Sequence, residues 1–398
     1  IDRSGLPALP ALLSVWGATI ALGDLGNPLQ AAALAEEGAV QAAASPDAAY
    51  LTVLLVLYHV QALVLGGYLA EALTLAERTY QQCADVPGQA RSTATAIKGV
   101  AALGNGDLRT AVEYLRSALT EFELAQLTHG ISHVFGVPYT EAVALAGDID
   151  PAVEALSHLQ RNRHPAHVYL EPDGLVAAAW VAATRGRSSE ARTLVVRAAD
   201  FARTHGQHAR EVVCLQAAIR FGDKRHVSRL AELAELVEGP RAALVARWAT
   251  AMAADDGDAL LDVSRDLEAM GDRVAAADAA AHASLAFHRD NRRGSALTAS
   301  GRAGRLITEC GAITPATGSV TAPLPLSSRE REIAAMVAAR LSNKEIAEAL
   351  TLSVRTVENH IYRACCNLGV ANRAELARLM SEFGVAGKQR KDTAAEPS

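Results

Sequence analysis

A glycine followed five positions later by a small residue recurs along most of this chain. The pairs are Gly26 with Ala31, Gly67 with Ala72, Gly106 with Ala111, Gly147 with Ala152, Gly186 with Ala191 and, in weaker form, Gly222 with Val227. Successive glycines lie 41, 39, 41, 39 and 36 residues apart. Around each one an Ala/Leu-rich run leads into the glycine and an amphipathic segment leads away from it, most clearly in residues 101–119 and 144–159. A fixed period of this length is the signature of a repeat architecture. Each unit reads as a helical hairpin: the glycine takes a left-handed turn that other residues adopt only at a cost, and the small residue lets the second helix approach the first. Leu108, Ala111, Val112, Leu115, Ala118 and Leu119 recur at the 3, 4, 7 spacing of one helical face. One hairpin cannot cover its own apolar surface, so neighbours must stack into a solenoid.

Composition supports an all-α reading. Half the residues are hydrophobic, yet only 4% are aromatic, and small apolar side chains suit stacked helices better than sheets. The expected organisation is a tetratricopeptide-like helical-repeat domain over residues 1–310, an uncharged linker rich in Gly, Pro, Thr and Ala at 311–325, a helix-turn-helix domain at 326–384 and a disordered polar tail at 385–398. An unrepeated helical bundle is the alternative for the first region. Beyond residue 240 the register blurs, with Gly257 or Gly271 as the next turn. Tyr50 to Tyr68 is about as long and apolar as a membrane span, but it holds Thr52, His59 and Gln61 and runs into a repeat turn, so a buried helix is expected and no membrane partner. Five scattered cysteines without ligand spacing fit a reduced, cytoplasmic protein without a metal site. The chain begins Ile1-Asp2 instead of with methionine, as expected of a piece of a longer product.

Residues 326–380 carry four helix-start signals in about 50 positions. Ser327 with Glu330 and Ser342 with Glu345 are capping boxes, Ser353 caps a third helix that Gly369 stops, and Asn372 with Glu375 opens a fourth. Ile333, Val337, Ile346, Leu350, Leu352, Val357, Ile361 and Leu368 can converge into one small core. Ala347 lets the second and third helices cross closely, as a helix-turn-helix requires. The net charge of the chain is −6, yet residues 326–398 hold 11 basic and 9 acidic residues, a cationic bias that suits a nucleic-acid contact.

The order Leu326-Ser327-Ser328-Arg329-Glu330, Ser342 to Ala347, Ser353/Thr356/Val357/His360, Leu368-Gly369-Val370 and Asn372-Arg373 resembles the LuxR-type (GerE-like) helix-turn-helix family over about 60 residues. Arg340 stands where that family commonly has glycine, Asn367 where it has lysine and Ala364 where it has a bulkier aliphatic. By resemblance and by position the third helix, 354–367, is the recognition helix. Glu358, Asn359 and Tyr362 are then expected at base edges, and Ser342, Asn343, Lys344, Ser353, Arg355, Thr356 and Arg363 at phosphates. A salt bridge from Glu358 to Arg355 or Arg363 is the competing reading of that carboxylate, and His360 is expected to be a packing residue.

With 8 basic and 7 acidic residues in 326–384, one copy neutralises few phosphates, which implies a homodimer on paired half-sites of double-stranded DNA. Ala371, Ala374, Leu376 and Leu379 would form its interface, as the fourth helix does in the family. Helical repeats joined to such a domain resemble the large ATP-binding LuxR regulators, similar to the maltose-regulon activator, in which an ATPase module precedes the repeats. The implied function is a sequence-specific transcription regulator whose repeats sense or relay a signal through a protein partner or a small molecule. No phosphate loop, nucleophile elbow or H-E-x-x-H motif occurs, so neither catalysis nor a cofactor is expected. The rival reading is an interaction scaffold carrying a vestigial helix-turn-helix.

Overall fold

The structure is a computed structural model that describes residues 7–382 except 46, 47, 49, 87, 127–129 and 321–325. The tail expected at 385–398 lies outside the described residues. Among those described, every regular element is a helix. The first sixteen α-helices pair into hairpins. They are α1 (Ala8–Leu25) with α2 (Pro28–Ala43), α3 (Leu51–Gly66) with α4 (Leu69–Gln82), α5 (Gln89–Gly104) with α6 (Leu108–Leu124), and α7 (Ile131–Leu145) with α8 (Ile149–Arg161). After a 3-10 turn at Pro165–Leu170 come α9 (Glu171–Thr184) with α10 (Ser188–Thr204), and α11 (His208–Arg220) with α12 (Val227–Leu236). The last two are α13 (Pro240–Ala254) with α14 (Gly257–Met270), and α15 (Arg273–Arg289) with α16 (Arg293–Cys310).

The six repeat glycines each sit in the turn inside a hairpin, all with φ between 74° and 99°. Ala31, Ala72, Ala111, Ala152 and Ala191 are wholly buried, as the close crossing of the two helices demands. The register that blurs beyond residue 240 does so because glycine is replaced. Neither Gly257 nor Gly271 marks the turn inside a hairpin: Gly257 opens α14, and Gly271 ends it. The two remaining hairpin turns use Asp255 at φ 52° and Asn291 at φ 58°, residue types that tolerate the left-handed region better than most.

The hairpins wind so tightly that the first turns dock on later hairpins. The last carbonyls of a helix have spare acceptor capacity, and those at the ends of α1, α3, α5 and α7 are met by later segments. Gly26 O accepts from Glu238 N (2.8 Å) and Leu145 O from Ile313 N (2.7 Å). Val64 O accepts from Nε and Nη2 of Arg241 at 3.2 and 3.1 Å, and Asn105 O from Arg273 Nε at 2.9 Å. Two guanidinium groups therefore also meet the negative ends of helices. A Cβ on Gly67 would lie 3.0 Å from Arg241 N, so glycine here permits both the turn and the approach.

Leu51–Gly66 is largely buried in this array, in place of a membrane span. Ala8–Leu25 is itself long and apolar enough to cross a membrane, with mean hydropathy 1.5, and packs against α2, α3 and α11. The five cysteines are free.

The stretch expected to be an extended linker departs from that expectation over 312–320. It holds a short helix, α17 (Pro315–Gly318), capped by Thr314, whose Oγ1 also hydrogen-bonds Asp278. Ala316 and Val320 pack on Ala280, Ala281 and Ala303. An uncharged, small-residue segment is as able to cover an alanine-rich helix pair as to span solvent, and here burial wins. Residues 321–325 lie outside the described residues. Four further helices follow: α18 (Ser328–Ala338), α19 (Asn343–Ala349), α20 (Val354–Leu368) and α21 (Arg373–Glu382).

Candidate nucleic-acid interface

Cap chemistry positions the four terminal helices. Ser327 and Glu330 form a reciprocal capping box at α18, and Ser342 and Glu345 form another at α19. The N–H groups and hydroxyls they engage hold both glutamates below the usual carboxylate range, so they remain ionised caps. Ser353 Oγ accepts from Thr356 N (3.1 Å) at α20, and Gly369, at φ 65°, ends that helix. At α21, Asn372 Oδ1 accepts from Glu375 N (3.0 Å) while the Glu375 carboxylate accepts from Ala371 N (2.8 Å).

Ile333, Ala334, Val337, Ile346, Ala347, Val357, Ala364, Leu368, Leu376, Leu379 and Met380 are buried around one core, with Leu350 and Leu352 at its margin. Thr351, at φ 52°, turns the chain between α19 and α20, and Leu352 N donates to Ala347 O at 2.8 Å. Arg340 has φ 65°, which explains the glycine preference at that position and makes the arginine a mildly strained substitute. Two arginines brace the helices from outside. Arg329 donates to Leu350 O (3.2 Å) and pairs with Glu332. Arg373 donates to Asn343 Oδ1 and to Leu341 O. The bracing role of Arg373 was not legible beforehand, although the residue belongs to the motif.

The outer face of α20 presents Glu358, Asn359, Tyr362 and Arg363 together, all exposed, Tyr362 by 70%. Lys344 and Arg355 are also exposed, as are the cap serines Ser342 and Ser353. Thr356 is half-buried, its Oγ1 2.7 Å from Ser353 Oγ. Asn343 departs from the simple phosphate-contact picture, because its side-chain oxygen already accepts from Arg373. No described residue forms an ion pair with Glu358, so the intrahelical bridge to Arg355 or Arg363 is not made. His360 is half-buried, and no group of metal-binding side chains occurs among the described residues. Val354 was overlooked: it opens α20 and stays 41% exposed beside the face just described. An apolar side chain there can meet a thymine methyl group; its spacing, three before Val357 and seven before Ile361, reads as core, so nothing in the sequence signalled its exposure.

The fourth helix needs a correction. Leu376 and Leu379 are fully buried in the domain's own core, so they are not a free dimerisation stripe; Ala371 and Ala374 are exposed. A short domain needs the only two leucines of α21 to close its core, and the sequence pattern does not distinguish that use from an interface. Part of α21 is also docked on the repeat region. Leu297 of α16 packs against the terminal core, and a Cβ on Gly294 would lie 2.4 Å from Gly369 O. The four side chains of the recognition face remain exposed despite this contact.

Residues 324–380 match the family described as bacterial regulatory proteins, luxR family. The chain is 39% identical over 64 residues to the transcriptional regulatory protein MctR of Rhizobium johnstonii, covering 16% of this chain and 30% of that protein. It is 45% identical over 56 residues to the putative HTH-type transcriptional regulator YhjB of Escherichia coli, covering 14% and 28%. It is 45% identical over 53 residues to the tetrathionate response regulatory protein TtrR of Salmonella typhimurium, covering 13% and 26%. The chain thus spans less than a third of the length of each of these relatives. Cap chemistry, helix order and sequence likeness agree that residues 324–380 are a LuxR-family helix-turn-helix domain.

Proposed function

We propose that this protein is a sequence-specific DNA-binding transcription regulator. The observation that carries the proposal is the recognition face of α20, where Glu358, Asn359, Tyr362 and Arg363 are exposed together on a helix fixed by caps at both ends. Asn359 can pair with the N6/N7 edge of adenine and Glu358 can accept from cytosine N4. Lys344, Arg355 and Arg363 supply the phosphate contacts. Three such contacts give a slope of log K against log salt of roughly −3 for one domain and about −5 for two, so high affinity at physiological salt calls for a pair of domains. The pair would meet through Ala371, just before α21, and Ala374 in its first turn, both exposed.

The repeats, in this reading, sense or relay a signal, and the contact of Gly294 and Leu297 with the terminal domain is the route. Selection of randomised duplexes by the full chain at two salt concentrations tests the proposal. The expected result is an enriched sequence with two half-sites, bound about 10–100-fold more weakly by Asn359→Ala. A folded chain that enriches nothing at low salt would overturn it and leave the scaffold reading. Gly294→Val, which wedges α16 from Gly369, should alter affinity without altering the selected sequence. A precursor with an ATPase module, as in the large ATP-binding LuxR regulators, belongs to the same proposal; an upstream gene segment lacking a nucleotide-binding module would remove it.

A further inference from the structure

Inside the winding of the repeats, the helices α3, α5, α7, α9, α11, α13 and α15 line a partly open cavity of about 170 Å³. Most of its wall is apolar, with Val64, Leu103, Val137, Val176 and Trp180 among the residues that line it. Three buried arginines reach it, and two of them are occupied. Arg210 is tied to Asp24 (2.6 Å) and Asp173, while Arg241 binds Gln216, Asp272 and Val64 O. Arg220 differs. Its Nε donates to Asp278 at 2.6 Å and its guanidinium lies over the Trp180 ring at 4.3 Å, but its buried Nη2 has no hydrogen-bond partner. The side chain is 9% exposed.

Two more polar groups line the same cavity unpaired. Gln61 Oε1 is buried without a partner, and the Glu141 carboxyl makes neither an ion pair nor a hydrogen bond. A buried charged donor left unsatisfied is costly, and native proteins retain such groups where a ligand or ion completes them.

We propose that this cavity is a binding site for a small, largely apolar monocarboxylic acid, whose carboxylate accepts from Arg220 Nη2 while its hydrocarbon part fills the apolar wall. The size suits one aromatic ring or a short branched chain, since a dry cavity of about 150 Å³ holds benzene. The acid group follows from the unfilled guanidinium edge, a charged donor that an anionic acceptor satisfies best and that an ammonium, having only donors, cannot satisfy. Glu141, whose carboxyl burial pushes up to about 7, lies on the same wall, and in its protonated form it donates a hydrogen bond to the second carboxylate oxygen. The proposal names a ligand class for the sensing role above and rests on that role for its regulatory meaning, not for the binding itself.

Calorimetric titration and thermal-shift measurement of the full chain with benzoate, isovalerate, benzylamine and benzyl alcohol test it. Saturable binding of at least one acid is expected, with no binding of the amine. Arg220→Gln should weaken that binding about tenfold or more. Leu103→Phe, which fills the cavity and leaves every charge in place, should abolish it while the circular dichroism spectrum is retained, and it decides the matter if Arg220→Gln does not fold. Absence of saturable acid binding, binding of benzylamine in its place, or unchanged binding by Leu103→Phe overturns the proposal. Because the readout is heat and stability in the absence of DNA, a chain that binds duplex but no acid sinks only the ligand, and a chain that binds acid but no duplex sinks only the regulator.

Discussion

The repeat region and the terminal domain place their charges oppositely. In the repeats, Arg210, Arg220, Arg241, Asp272 and Asp278 lie buried and interlocked between helices far apart in sequence. In the terminal domain the charged groups sit at helix starts or on the surface, where Lys344, Arg355, Glu358 and Arg363 stay exposed. Each part is built for what it meets. A surface that reads a polyanion must keep its polar groups solvated and available until contact. A winding that holds a small cavity must instead satisfy its polar groups internally, and whichever it leaves unsatisfied define the chemistry of the occupant.

The sharpest way to break this contrast is to remove one half of an internal pair. Asp272 accepts from Arg241 and Gln216 and also caps α15 through Ala275 N. Burial alone would raise its pKa, but the nearby Arg241 and Arg220 outweigh that and hold it below the ordinary range. Asp272→Ala should destabilise the repeats by about 3–5 kcal/mol, because it strands a buried guanidinium. Urea unfolding followed by tryptophan fluorescence reads this directly, since Trp16, Trp180 and Trp248 all lie in the repeats.

In the repeats, pH acts in two opposing directions. Burial, reinforced by Arg220, Lys224 and Arg289, lowers His282 to about 4. Its contribution is complete above the unfolded pKa near 6.5 and is lost as pH falls toward 4. Glu141, raised to about 7 by burial, with Asp173 and Asp272 adding to the rise against Arg220 and Arg241, acts in the other direction. The unfolded carboxyl ionises first, so folding loses stability as pH rises from about 4.5 to 7. Each effect is on the order of 3 kcal/mol at full extent, and they nearly cancel between 4.5 and 6.5. Across this window His59, His133 and His167 act with His282, and Asp173 and Asp278 act with Glu141, so the wild-type profile is the balance of the two sets. Glu141→Gln should make stability rise with pH there, and a flat profile for that variant would refute the assignment.

Smaller effects test the terminal domain. Ser327→Ala removes a cap from α18 and should cost about 1 kcal/mol in thermal unfolding of that domain, leaving the repeats unchanged. Arg340→Gly should stabilise by about 0.5–1 kcal/mol, since glycine adopts φ near 65° without the steric penalty of a side chain. A neutral or negative result would mean that the arginine side chain makes a compensating contact in solution.

Much of the terminal domain was legible before its structure because its determinants are local. A cap acts over three residues, a helical face over seven, and Gly369 over one turn, so Ser327, Ser342, Ser353 and Asn372 announce their helices directly. What locality could not say was which way α21 faces. Leu376 and Leu379 have the same spacing whether they close a core or meet a partner, and only the packed domain shows them inside.

In the repeats the sequence alone set the first six hairpins, because a left-handed turn favours glycine and a close crossing favours a small residue. It did not determine the last two turns, where Asp255 and Asn291 take the glycine's place, nor the packing of 312–320 over α15 and α16. The winding was decided by tertiary structure alone. Gly26 O meets Glu238 N, and Val64 O meets Arg241, across more than 170 residues. No periodicity encodes such a meeting, because it depends on the small rotation accumulated from one hairpin to the next. The unpaired edge of Arg220 follows from the same accumulation, since only the closed winding brings that arginine, Glu141 and Gln61 to the wall of one cavity.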